Sequence, residues 1–143
     1  MKHNHLKIIS LSVWWGVFTF YSGVVVPVGM TVLGSHTKMG FITQEISKYL
    51  NIISLILFIF YAYSLRNNKF SEDILIEQIA SFSLIGFQFS LFIIHYFLTD
   101  FLDFEHYTVL NPAKFSVFHR VYLIIETLIW LVVSWILIKS FKK

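Results

Sequence analysis

Four apolar runs, each close to the length that crosses a bilayer, fill most of this sequence and leave only short polar links between them. They extend from about Ile8 to Leu33, Ile46 to Leu65, Ile74 to Leu98 and His119 to Ile138. A hydrocarbon core about 30 Å thick is crossed by roughly 20 helical residues, so each run suffices for one span. A soluble fold with a very large core is a poor alternative. Only 13% of the residues are charged, against roughly 25% in soluble domains, and a chain of 143 residues must leave much of its surface in water. The expected fold class is therefore all-α: one integral-membrane four-helix bundle comprising residues 1–143, with the lipid bilayer as its first partner.

With no cysteine in the chain, disulfides, thiolate metal sites and cysteine nucleophiles are excluded. The net charge of +3 is spread over ends and links, a pattern that sets membrane orientation and offers no nucleic-acid footprint. Lys2, Lys7, Arg66, Lys69, Lys139, Lys142 and Lys143 fall on the side of both termini and the middle link. Lys38, Lys48, Lys114 and Arg120 fall on the other. The positive-inside bias then places both termini in the cytoplasm. Little alanine and glycine with much Phe, Ile and Lys suggests an AT-rich bacterial genome, hence a bacterial cytoplasmic (inner) membrane.

The first run is too long for an untilted span, at almost 40 Å by helical rise, and Pro27 is the expected place for a kink. It is about twice the length of a signal-peptide core and has no small-x-small cleavage site. Gly16 and Gly23 share a face that admits close approach of another helix; Trp14 and Trp15 sit deep enough to pack. The link from Gly34 to Asn51 is polar yet partly helical in pattern, with Gln44, Lys48 and Asn51 on one face and Glu45 beside Lys48. Tyr61 and Tyr63 are expected as interface anchors, and Ser71 as an N-cap. In the third run Ser81, Gln88 and His95 recur every seven residues as a polar stripe. Asn111-Pro112 is a turn signal. In the fourth run His119, Tyr122 and Glu126 lie on one side, continued by Trp130.

The polar groups concentrate between His95 and Glu126, which holds three of the six histidines, four of the eight acids and one of the two arginines. Glu126 lies roughly 10 Å inside the last span below His119. A carboxylate at that depth is costly unless paired, hydrated or protonated, which makes it a functional-site candidate, or else a protonated hydrogen-bonding group holding helices together. If the last two spans are antiparallel neighbours, His95, Asp100, His119, Arg120 and Glu126 surround an outward-facing pocket, with Gln88 as a buried polar partner. Three chemistries fit such a pocket. His95, His119 and Glu126 together suit a metal ion such as zinc, copper(II), iron or manganese. Histidine beside a buried acid suits proton transfer. Arg120 suits capture of an anionic group. There is no HExxH and no Glu-x-x-His pair at helical spacing; Glu105 and His106 are adjacent and cannot chelate from one helix face. The His3-x-His5 pair reads as loose polar composition. No phosphate-binding or nucleophile-elbow motif occurs. A membrane-embedded enzyme acting on lipid or quinone would use His95 or His119 as base, but no nucleophile accompanies them.

The segments WWGVFTFYSGVVVPVGMTVL and FHRVYLIIETLIW resemble small four-span bacterial membrane proteins of unknown function, the TMEM-205-like and copper-resistance D-like group. The resemblance rests on Trp15, Gly16, Pro27, Phe115, His119 and Tyr122, and touches about a quarter of the chain. It implies a four-helix membrane bundle and a loose link to metal tolerance. The methionine- or cysteine-rich set that copper(I) prefers is missing. Two functions follow. One is a pocket that binds or passes a small polar species or ion, as a homo-oligomer in contact through Gly16 and Gly23. The other is an accessory or assembly subunit of a larger membrane complex, its polar stripe satisfied by partner helices.

Overall fold

The computed structural model describes residues 2–66 and 72–141, with side chains from His5 to Arg66 and from Ile74 to Phe141. Ser71, Lys69, Lys142, Lys143 and the side chains of Lys2 and His3 lie outside the described residues. The first helical rod comprises α1 (Lys2–Phe20), a π-helical turn (Tyr21–Val25) and α2 (Val26–Leu33). It is followed by α3 (His36–Leu65), α4 (Glu72–Asp100), the two short strands β1 (Leu102–Asp103) and β2 (Thr108–Val109), and α5 (Pro112–Phe141). The four helical rods are all long and apolar enough to cross a membrane.

Side-chain bonds fix the up-and-down order. Gln44 meets His95 and Asn51 meets Gln88 between α3 and α4, and Tyr61 reaches Glu77 below them. Trp14 donates to Ser54 across α1 and α3, at 2.7 Å. Trp15 donates to Ser134 and Trp130 to Thr19 across α1 and α5. Each pair marries a polar tip to a group that would otherwise be unsatisfied in an apolar interior, where an unmade hydrogen bond is costly. Lys2 and Phe141, the outer ends of the first and last described helices, consequently lie at one end of the bundle. The expected packing of the two tryptophans is seen: Trp14 stacks on Phe18 and tilts onto Phe58, and Trp15 stacks on Trp130.

Helices overrun the apolar runs because their first turns are polar but well capped. Gly34 takes a left-handed φ of 57° after α2, which an L side chain adopts only with strain. Ser35 then caps α3, its Oγ accepting from the Lys38 N–H at 3.3 Å, so α3 begins ten residues before Ile46. Asn111 does the same for α5, accepting from the Lys114 N–H at 3.1 Å with Pro112 in the first helical position, where its missing N–H is not needed. Just before Pro27 the first rod abandons α geometry: the Val26 N–H reaches back to the Tyr21 carbonyl. That longer step accommodates a ring that cannot donate to the preceding turn.

The core is a continuous cluster including Leu11, Phe58, Leu84, Ile129 and Val133, none more than 1% exposed. Tyr61, expected at an interface, is instead fully buried, and Tyr63 is the exposed one of the pair. The reason lies on the facing helix: the Tyr61 hydroxyl has a carbonyl to donate to, at Glu77 (3.4 Å). Deep in the terminal end, Lys7 and Glu77 form an ion pair of 2.7 Å, both buried.

Candidate functional site

At the end of the bundle away from the termini, the first rod, α3 and α5 enclose a cavity of about 550 Å³. The π turn and Pro27 lie where the first rod forms its wall. Tyr21, Ser22, Val26 and Met30 come from this segment, Gln44 and Ser47 from α3, and Phe115, His119, Tyr122, Leu123 and Glu126 from α5. Below it the rods close. Trp15, Thr19, Trp130 and Ser134 bond α1 to α5. On α3 the buried Phe58 stands between Asn51 and Tyr61, and on α4 Leu84 stands between Gln88 and Glu77. A close-packed, mostly apolar layer therefore separates the cavity from the Lys7–Glu77 pair.

Beside the cavity a polar cluster is built around Asn51. Its Oδ1 accepts from Gln88 Nε2 at 2.9 Å and from the Tyr122 hydroxyl at 3.1 Å. Tyr122 also adjoins Ser47 and Glu126, one helical turn along α5. Tyr21, from the π turn, lies near Ser47 and faces the field of Glu126. Two buried polar atoms have no hydrogen-bond partner among the described residues, Tyr21 Oη and Asn51 Nδ2. Such orphans are uncommon in folded proteins. Tyr21 stands on the cavity wall, where an occupant or a water would satisfy its hydroxyl.

The expected site residues divide. His119 and Glu126 line the cavity, His119 stacked on Phe115 with ring centroids 5.7 Å apart. His95 is committed elsewhere: its Nε2 pairs with the Gln44 carbonyl at 2.8 Å, and its own carbonyl accepts from Gln44 Nε2 at 3.1 Å. Gln44 Nε2 also donates to Thr99. This clasp holds α3 to α4. Gln88 is buried and spent on Asn51, while Asp100 and Arg120 are exposed. Among the described residues no group of three His, Asp or Glu side chains is placed to hold a metal ion. The trio His95, His119 and Glu126 is thus not brought together, because the His95 ring is turned onto the α3 backbone. Residues beyond that expectation are Tyr21 and Ser47; His36, which as part of the outer link could be expected to join the cluster, does line the cavity, with Nδ1 at 3.0 Å from Met30 Sδ. Tyr21 carried no sequence signal, since one tyrosine in an aromatic-rich run looks like packing.

Over the cavity's outer side runs the β1–β2 hairpin, with Leu102 paired to Val109 and Asp103 to Thr108. Asp103 Oδ1 accepts the N–H groups of Glu105 and His106, and its Oδ2 pairs with His106 Nδ1 at 2.8 Å. The hydrogen bond from the His106 backbone, first among several, holds the Asp103 carboxyl below its ordinary value. Phe41 packs edge-on against Phe104 and Tyr107, which ties the hairpin to α3.

Comparison with protein-family profiles, curated proteins and solved structures returned no match. The functional reading therefore rests on the cavity itself.

Proposed function

We propose that this multi-pass protein binds a small molecule in the cavity bounded by the first rod, α3 and α5. The carrying observation is a 550 Å³ space whose wall holds Glu126, His119 and an unpartnered Tyr21 hydroxyl, within the 300–1,000 Å³ usual for ligand pockets. Apolar walls with a few convergent polar groups are what such pockets need to bind and orient a guest. The close-packed layer around Phe58 and Leu84 favours binding over passage of an ion straight through one copy. On the positive-inside argument both termini are cytoplasmic in a bacterial inner membrane, and the cavity lies toward the outer leaflet.

Extraction in mild detergent followed by mass spectrometry of the denatured sample tests this. A small molecule should co-purify with the native chain and be lost from Ser47→Phe, whose ring would occupy the cavity. Identical small-molecule content in both would count against the reading. A stoichiometric protein companion with no small molecule would instead favour an accessory subunit.

A further inference from the structure

The cavity wall carries an acid with no fixed positive charge opposite it. Glu126 is the one Asp or Glu among the described residues on the wall, and neither lysine nor arginine is among them. Glu126 likewise has no ion-pair partner among the described residues. Five aromatic rings share the wall, those of Phe18, Tyr21, Phe41, Phe115 and Tyr122. Their faces carry negative potential and attract cations, most strongly where water is excluded. The unpartnered Tyr21 Oη adds an oxygen that can accept from an N–H. Five wall residues are exposed, Ser22 on the π turn, His36 and Thr37 on α3, and His119 and Leu123 on α5, so the cavity is open to a guest from outside the bundle.

We propose that the cavity takes a hydrophobic organic cation, an amine or onium with an apolar body, held by Glu126 as counter-ion among the aromatic faces. This rests on the cavity reading above and narrows its ligand class. An anion of equal size would meet Glu126 with no lysine or arginine on the wall to offset it, only the imidazoles of His36 and His119, so phosphate-bearing headgroups are disfavoured. A bare metal ion lacks its ligand set. An apolar neutral guest would fill the walls and leave the carboxylate with only the Tyr122 hydroxyl beside it.

Tetraphenylphosphonium and tetraphenylborate share shape and differ in the sign of charge, which makes them the probes of choice. Each is titrated into the full chain in mild detergent at pH 8, where imidazoles are ordinarily neutral, by calorimetry and thermal melting. The cation is expected to bind and raise the melting temperature, with the borate bound at least about tenfold more weakly. Glu126→Gln should weaken the cation by about tenfold or more, while Glu126→Asp, which keeps the charge, should retain the preference for cation over borate. Equal binding of both ions, binding of neither, or undiminished cation affinity in Glu126→Gln would overturn the proposal. The comparison of the two ions in the unmodified chain needs no variant to fold. If both ions bind and Ser47→Phe blocks both, the cavity remains a binding site and only the cation class fails.

Discussion

The two most consequential single residues are Lys7 and Glu77, because each buries a charge that only the other neutralises. Removing one partner of a buried pair leaves the other uncompensated, at about 3–5 kcal/mol, whereas replacing both by apolar groups is often nearly neutral. Lys7→Met or Glu77→Leu alone should therefore destabilise the bundle by about that amount, and the double variant should recover most of it; unfolding in mixed micelles measures both. Asn51 makes a second test. Its Oδ1 serves two donors; Asn51→Leu strands the Gln88 amide, while Tyr122 keeps Ser47 and Glu126 beside it, and should cost about 1–3 kcal/mol for the stranded group. At the hairpin, Asp103 has a folded carboxyl value below its ordinary 3.8. Its contribution is therefore present above that value and is lost as the pH falls through the lower, folded one. The protection factor of the His106 amide should accordingly decline only below about pH 3.8, and Asp103→Asn should remove that dependence.

Helical elements were the most legible part of the chain, since length and hydropathy alone mark four rods. Their ends were not: Ser35 and Asn111 start α3 and α5 in polar stretches that hydropathy reads as links, and only the cap bonds reveal them. That Glu126 and His119 face one cavity could be read from their shared side of one helix. His95 could not be assigned correctly to a role, because its partner is a backbone carbonyl, which no residue pattern announces. Lys7 and Glu77 were equally hidden, standing near the ends of apolar runs where charges usually reach water. The first rod supplies the test at this scale. Pro27→Ala restores an N–H and removes the reason for the π turn. The distance between spin labels at the exposed positions Val32 and Val117 should then change, because removing the extra residue of a π turn rotates the segment beyond it; an unchanged distance would contradict this cause. Gly29 acts on the same wall: a Cβ there would lie 2.5 Å from Met39 Sδ. Gly29→Ala should thus push that thioether toward the cavity and weaken tetraphenylphosphonium binding, with little change in melting temperature because the displaced atoms end a flexible side chain.

As a whole, the molecule divides along its length into a sealed half and an open one. The half near Lys7 is locked by the Lys7–Glu77 pair and the close-packed layer; the other half, beyond Trp15 and Trp130, holds the cavity. Which way Glu126 faces distinguishes this arrangement from a bundle with an acid on its lipid surface. Dicyclohexylcarbodiimide, which modifies carboxyl groups from within the bilayer, can read that direction in native membranes by mass spectrometry of the labelled peptide. Modification of Glu126 is expected in the unaltered chain, and a pronounced slowing in a folded Ser47→Phe variant, whose new ring fills the space before the carboxyl. Equal modification rates in the two chains would place Glu126 against lipid and contradict the cavity as its surroundings.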